Sequence, residues 1–340
     1  WTDDRLAAIA KSLKASLKQS DQTIAWTDTA TGAQAKLSYA PEASVEIIDW
    51  SDDLKYIVVE REGPSFPPEY YLLTDGSKLS LLGRSRPNLD LKAFGPSQLI
   101  QYTARDGLVI PAFLRLPSEA LYGKGPYPAI VLPHGGPSAR DNYIWDFSGW
   151  TTYFTSRGYV VILPQFRGSL GWGEKLARAG DAQWGKTMQD DNDDAAKWLV
   201  AQGYADKNRM ALFGYSYGGY TGYLAAIRPN GLYQCSVAGA GVAQIKRFQG
   251  ETYDNRFLRE LQRPTIDGVD PLSNVDKVSI PIFVYHGDRD QVVVIEESRK
   301  FVAALKALGK PHRYLEIPDM GHTIDTWGPK DGETQLIEIE

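Results

Sequence analysis

The sequence predicts an α/β protein: a mostly parallel central sheet with helices between its strands, preceded by a smaller β-rich segment. Three observations point there. Beyond Gly95, continuous apolar runs alternate with helical stretches, as strands buried on both faces require. Residues 23–95 instead hold short β-like runs separated by Asp, Gly and Pro turns. A Gly-x-Ser-x-Gly run also stands between an apolar run and a helical stretch. The chain has 340 residues, 43% hydrophobic and 23% charged, which is ordinary globular composition with enough apolar material for a large core. That length suits one large α/β domain plus an accessory piece, and the change of pattern divides them as 1–95 and 96–340.

The elements follow in order. From Asp3 to Gln19, apolar Leu6, Ile9, Leu13 and Leu17 recur at helical spacing, predicting a surface helix. Runs at Val45–Ile48, Tyr56–Val59 and Tyr70–Leu73 predict an antiparallel meander of one or two four-stranded sheets, too few for a closed propeller. Leu99–Ala104 and Leu108–Leu116 meet at Arg105-Asp106-Gly107 and read as a hairpin. Buried strands are then expected at Ala129–Leu132, Tyr159–Leu163, Met210–Phe213, Ser236–Ala238 and Ile282–Tyr285, with helices at Asn192–Gln202, Tyr217–Ile227 and Glu296–Leu308.

Bulk properties exclude several classes of function. The net charge of −5, with signs mixed throughout, creates no positive field for nucleic acid or anionic membrane surfaces. No apolar run approaches the roughly 20 residues of a membrane span. The single cysteine, Cys235, reads as a buried strand residue, so no intrachain disulfide forms, and the compartment stays open between cytoplasm, periplasm and exterior. Nothing in the sequence excludes a homo-oligomer. Trp1 is not an initiator methionine, so the true N-terminus is expected upstream.

The chemistry centres on Gly214-Tyr215-Ser216-Tyr217-Gly218-Gly219. A strand before it and a helix after it are the context of a nucleophile elbow, in which a strained turn thrusts the serine outward. Gly214 and Gly218 are then needed because strand and helix pass too closely for side chains. A serine hydroxyl needs a general base, usually a histidine oriented by a carboxylate. Of the four histidines, His322 lies in the short glycine-containing loop Asp319-Met320-Gly321-His322 after the last apolar run and is the expected base. His286 reads as a strand-end hydrogen-bonder and His312 as a surface residue. The acid comes from His286-Gly287-Asp288-Arg289-Asp290, at the C-terminal end of a strand, which offers two aspartates: Asp290 is the expected acid, and Asp288 is the weaker candidate, better suited to stabilising the turn. The order Ser216, Asp290, His322 is that of an α/β-hydrolase fold. Tyr217 N–H, with Gly136 or Gly135 of His134-Gly135-Gly136-Pro137, is the expected oxyanion hole. No metal or organic cofactor is needed.

These residues together resemble the prolyl oligopeptidase family of serine peptidases, particularly its acylaminoacyl-peptidase-like members. The likeness spans most of 98–325 and rests on Arg105-Asp106-Gly107, His134–Pro137, Phe166-Arg167-Gly168-Ser169-Leu170-Gly171-Trp172-Gly173, Gly214–Gly219, His286-Gly287-x-x-Asp290 and Gly321-His322. It implies the triad Ser216, Asp290 and His322, choosing Asp290 over Asp288. It also implies that 1–95 hold the closing blades of a β-propeller whose remainder lies upstream. Two departures stand out. Several relatives carry an arginine two residues after the acid, where this chain has Val292, and the paired glutamates that grip a free N-terminus in dipeptidyl peptidases are not evident. Just after the strand at 236–238, Val242, Ile245, Phe248 and Tyr253 suit an apolar substrate pocket and equally suit core. The expected reaction is hydrolysis of a peptide or acyl-amino-acid bond through an acyl-enzyme. The alternative is a carboxylesterase acting on acylated carbohydrates or phenolic esters with the same triad.

Overall fold

The computed structural model describes residues 15–20, 23–28, 34–38, 44–53, 55–75, 78–228, 231–251, 265–328 and 330–339. The chain divides into two compact units: the described residues of Trp1–Lys92 with Tyr143–Phe147, and those of Ala93–Asn142 with Ser148–Glu340.

In the first unit, β1 (Ala15–Ser20), β2 (Thr23–Asp28) and β3 (Gln34–Ser38) form a three-stranded antiparallel sheet. The helix expected over Asp3–Gln19 is corrected where it is described. Ala15–Gln19 belongs to β1, since Leu17 is the only large apolar residue there and a single position makes no helical stripe. The remainder of that expected helix lies outside the described residues. Next, β4 (Ser44–Trp50), β5 (Tyr56–Gly63), β6 (Phe66–Thr74) and β7 (Lys78–Arg84) form an antiparallel sheet in chain order. Alternation does the folding work here: Ile57 and Val59 are buried, whereas Tyr56 faces solvent.

The second unit is built on an eight-stranded sheet. Its strands are β8 (Phe94–Thr103), β9 (Val109–Pro117), β10 (Tyr127–Val131), β11 (Val160–Pro164), β12 (Ala205–Tyr215), β13 (Cys235–Gly239), β14 (Ile282–Gly287) and β15 (His312–Ile317). Their order is β15-β14-β13-β12-β10-β11-β9-β8, parallel from β15 to β11 and antiparallel for β9 and β8. The helices are α1 (Glu119–Tyr122), α2 (Trp150–Thr155), α3 (Glu174–Arg178), α4 (Thr187–Ala201), α5 (Tyr217–Ile227), α6 (Ile245–Glu251), α7 (Glu296–Ala307) and α8 (Asp331–Ile339). None of the described helices is long and apolar enough to cross a membrane.

Helices cover both faces. Leu212 of β12 packs with Val131, Ile162 and the α4 residues Ala195, Ala196 and Leu199, while the adjacent Phe213 turns to the opposite face against Trp150 and Phe154 of α2. Strand alternation assigns consecutive apolar side chains to opposite layers, which is why these runs read as continuous rather than alternating. Cys235 departs from expectation: as the first residue of β13 it is exposed, and burial begins only at Ser236. The strand's outer end projects past the layer that covers its middle.

The sheet order reverses at β10, which pairs with β11 on one side and β12 on the other. Connections leaving neighbouring strands therefore diverge at their C-terminal ends, opening a crevice between the loops after β10 and β12. One buried ionic cluster braces this end of the unit. Arg167 is bidentate to Asp191 of α4 at 2.9 and 2.8 Å and also holds Asp106 of the hairpin turn at 2.8 Å. Arg105 grips Asp194 of the same helix at 2.7 Å. Removing Arg167 strands Asp191, whose side chain is fully buried. Arg167→Met is therefore expected to lower the unfolding free energy by about 3–5 kcal/mol in urea titrations, and adding Asp191→Leu to recover much of that loss. The exposed pair Arg178–Glu174 is the control, and Arg178→Met should change stability little.

Candidate active site

Ser216 stands between β12 and α5 with φ 60° and ψ −118°, a left-handed conformation that a residue bearing a Cβ rarely adopts. Such strain costs about 1–3 kcal/mol and persists only where the surroundings impose it. Here backbone crowding imposes it. A Cβ on Gly214 would lie 2.4 Å from the Gly218 carbonyl, and one on Gly218 would lie 2.4 Å from the Pro133 oxygen. Gly219, to which the sequence assigned no mechanical part, meets the Gly239 oxygen at 2.2 Å in the same sense, so three glycines let α5 pass over β12, β10 and β13. The Ser216 N–H donates to the Gly239 carbonyl at 2.9 Å, and the Tyr220 N–H donates to the Ser216 carbonyl at 3.0 Å, closing the first helical turn.

The loops after β14 and β15 bring two more predicted residues to this point. His322 Nε2 lies 2.9 Å from Ser216 Oγ, and its Nδ1 lies 2.5 Å from Asp290 Oδ2. A carboxylate only accepts, so Nδ1 carries the hydrogen and Nε2 faces the serine hydroxyl as acceptor. Asp290 is buried, and its Oδ1 accepts the N–H groups of Val292 and Val293 at 2.9 and 2.8 Å. Burial pushes this carboxyl up, but hydrogen bonds from His286 and His322 outweigh it and draw the pKa down to about 2. Asp288 is exposed and accepts the Asp319 N–H at 2.7 Å, tying the β14 loop to the β15 loop.

His286 also reaches Asp290, its Nε2 lying 3.3 Å from Oδ2, while His312 and His134 are engaged elsewhere. His286 is fully buried, with Nδ1 2.7 Å from Ser298 Oγ and Nε2 2.8 Å from the Val293 carbonyl. His312 bonds the Lys310 carbonyl. His134 is buried between the Gly135 carbonyl and Ser169 Oγ. Beside the serine, Tyr217 opens α5, so its N–H is one of the helix's unpaired terminal donors. Gly135 abuts the serine: a Cβ there would lie 3.5 Å from Ser216 Cβ and 4.0 Å from Oγ. Gly136 has φ +124°, which suits only glycine.

Of the suggested pocket residues, Val242 and Ile245 are almost fully buried, in a cluster with Phe166, Trp184, Tyr217, Tyr220 and Val293. Phe248 packs against that cluster, and Tyr253 lies outside the described residues. The cluster contains the neighbours of Ser216 and Asp290, so it forms an apolar floor under the site. Two contributors carried no sequence signal. Glu297 of α7 accepts the N–H groups of Ala243 and Gln244 at 2.8 and 2.7 Å and so anchors the loop bearing Val242. Trp327 donates Nε1–H to the Gly321 carbonyl at 3.1 Å and packs on Tyr215, whose ring lies 5.2 Å from that of His322. Neither residue sits in a recognisable motif, because each acts on a segment distant from it in the chain.

Known proteins resemble this chain in sequence and in fold. "Dipeptidyl peptidase family member 6" of Caenorhabditis elegans is 32% identical over 325 residues, covering 86% of this chain and 44% of the relative. "Dipeptidyl aminopeptidase BIII" of Pseudoxanthomonas mexicana is 31% identical over 290 residues, covering 80% and 42% respectively. The chain thus spans less than half the length of these curated relatives. Among solved structures, a puromycin-hydrolyzing peptidase of Mycobacterium tuberculosis superposes with a TM-score of 0.73 over 96% of this chain and 50% of that one, at 23% identity, a likeness of fold. The model of the prolyl oligopeptidase family matches residues 145–337, and with the α/β-hydrolase sheet and the serine elbow in place the chain belongs to that family of serine hydrolases.

Proposed function

We propose that this chain is the catalytic part of a serine peptidase that cleaves peptide or acyl-amino-acid bonds with Ser216 as nucleophile, His322 as base and Asp290 as orienting acid. One observation carries the reading: the unbroken line from Asp290 Oδ2 through His322 to Ser216 Oγ, at 2.5 and 2.9 Å, on a backbone strained to present the serine. In the reaction, Ser216 Oγ attacks the carbonyl carbon while its proton passes to His322 Nε2. The buried, ionised Asp290 stabilises the imidazolium so formed. The oxyanion takes hydrogen bonds from Tyr217 N–H and from Gly136 or Gly135. Collapse of this intermediate expels the amine, which leaves with the proton from His322, and an acyl-enzyme remains. Water, deprotonated by the same histidine, then releases the acid.

Of Val242, Ile245 and Phe248, Phe248 keeps a partly exposed side chain to meet an apolar or aromatic group beside the scissile bond, with Val242 and Ile245 packed behind it as core. Position 292, where several relatives have an arginine, gives its backbone N–H to Asp290, while its exposed side chain bears no charge. The four-stranded antiparallel order of β4 to β7 supports the further reading that residues 1–95 are closing blades of a β-propeller.

Ser216→Ala is expected to lower kcat on peptide anilides by about 10⁴-fold or more with an unchanged unfolding transition. A fluorophosphonate should label wild-type Ser216 and not the variant, and wild-type rates in the variant would sink the mechanism. Substrate class is read by comparing an acyl-amino-acid anilide, a free dipeptidyl anilide and a simple ester. Turnover of the ester with neither anilide cleaved would replace the peptidase by a carboxylesterase.

Asp290→Asn should reduce kcat by about 10⁴-fold, because the amide favours the wrong histidine tautomer. The same variant tests the depressed carboxyl pKa. Its folded value of about 2 lies below the roughly 3.9 of an unfolded aspartate. The ionised form therefore stabilises the fold above about pH 4, and that contribution is lost as the pH falls towards 2. Urea midpoints of the wild type should drop more steeply than those of Asp290→Asn across that window.

A further inference from the structure

His322 is oriented at its ring by Asp290 and Ser216, but both bonds last only while its backbone stays in place. A side chain with two torsions cannot follow a moving Cα and keep two partners in line. On the N-terminal side the backbone is fixed. The Asp319 N–H donates to Asp288 and the Arg289 N–H to the Met320 carbonyl at 3.1 Å, with Met320 fully buried. A Cβ on Gly287 would lie 2.2 Å from the Met320 oxygen, so this loop and the end of β14 are in backbone contact.

The C-terminal side is different in kind. Thr323, Ile324, Asp325 and Thr326 are all exposed. Their turn is held by bonds within itself, from Thr326 N–H to the Thr323 carbonyl at 2.8 Å and from Trp327 N–H to the Ile324 carbonyl at 3.1 Å. A short segment without buried side chains has little local stability of its own. The base therefore stands at the edge of a turn that needs an outside anchor.

Trp327 supplies that anchor at two points. Its Nε1–H donates to the Gly321 carbonyl at 3.1 Å, closing the turn on the residue just before His322. Gly321 permits the closure, since a Cβ there would lie 2.3 Å from Thr326 Oγ1. The carbonyl so held is one half of the planar Gly321–His322 peptide, and fixing its oxygen fixes the direction in which the His322 backbone sets out. The indole ring then meets Tyr215 edge-on at 5.7 Å and 73° and Trp150 of α2 at 6.1 Å, while Tyr215 and Trp150 lie 5.8 Å apart. Tyr215 is the last residue of β12, precedes Ser216 directly, and has its ring 5.2 Å from that of His322. One aromatic group thus joins the strand of the nucleophile, the ring of the base and the end of the turn that carries the base.

We propose that Trp327 is a positioning residue for the base: by closing the exposed turn onto Gly321 and bracing it on Tyr215 and Trp150, it holds His322 in line with Ser216 and Asp290. The inference rests on the reading of His322 as base and Ser216 as nucleophile. It gives control of the catalytic geometry to a half-buried residue that belongs to none of the catalytic motifs.

The test compares Trp327→Phe, which keeps a ring against Tyr215 and loses the N–H, with Trp327→Ala, which loses both. Expected are falls in kcat on a peptide anilide of about tenfold and about 10²-fold respectively, the scale of a catalytic group displaced by about 1 Å, with KM within about threefold of wild type. The rate of fluorophosphonate labelling, which needs the same histidine to take the serine proton, should fall in parallel. Because Trp327 acts through His322, adding Trp327→Phe to His322→Ala should bring no further loss in the residual hydrolysis of a p-nitrophenyl ester. Trp327→Phe, the milder change, carries the test if Trp327→Ala does not fold. Unchanged kcat and labelling rate in the folded variants, a loss confined to KM, or the full tenfold loss repeated in the His322→Ala background would overturn the inference. Labelling of the wild type separates the two levels: with labelling at Ser216, such a result refutes only the role of Trp327, and without labelling the nucleophile assignment falls and this inference with it.

Discussion

The left-handed backbone of Ser216 is the constraint on which the rest of the second unit depends. A β-carbon-bearing residue at φ 60° is unfavourable by itself, so the conformation exists only because β12 and α5 are pressed together around it. That closeness requires Gly214, Gly218 and Gly219, each meeting neighbouring backbone within 2.4 Å of where a Cβ would be. The favourable burial of α5 against β12 and β13 supplies the opposing free energy. Every side chain from Tyr217 to Ile227 is buried, an all-round apolar helix that could exist only inside a packed layer. The serine stays half-buried at the crevice while the helix behind it is wholly covered.

Around this elbow the fold uses buried polar groups as fixed joints rather than as sources of net stability. Arg167 and Asp191 satisfy each other in a dry environment and set the spacing between α4, the hairpin turn at Asp106 and the loop carrying Ser169. Asp290 has all its acceptor capacity directed: backbone N–H groups hold Oδ1, and imidazoles face Oδ2. Glu297 holds two further N–H groups in the loop after β13. Each joint is expensive to break because the surviving partner would be left buried and unpaired, which favours a single arrangement of loops.

Where sequence reading succeeded, the signal was local. Helix α5 spans Tyr217–Ile227 as expected, since the elbow's glycines and the first helical residue are adjacent in the chain. Buried strands were evident as continuous apolar runs, but their ends shifted. The run at Met210–Phe213 extends to Ala205–Tyr215, because pairing with β10 and β13 continues past the apolar residues. Where the reading failed, a local pattern was outvoted or incomplete. Ala15–Gln19 has a residue at helical spacing yet pairs as a strand, and Cys235 begins an apolar run yet lies at its exposed end. Val242 and Ile245 show how apolar character alone cannot separate a pocket wall from core, since both are lined by the same side chains.

The sequence by itself determined the α/β class and the strand-serine-helix elbow, and it singled out Ser216, Asp290 and His322 in that chain order, because each lies in a short run that can be read without distant residues. Only the tertiary structure decided distances. It brought His322 and Asp290, 106 and 74 positions from Ser216, into hydrogen-bonding line, set His286 behind Asp290, and gave His134 and His312 different partners. It also joined His134, Phe166 and Tyr217 into one stack, a contact among three segments that no periodicity encodes. The reason is geometric: a sheet whose strand order reverses at β10 gathers loop ends that are far apart in the chain, and their proximity belongs to the topology rather than to any one segment.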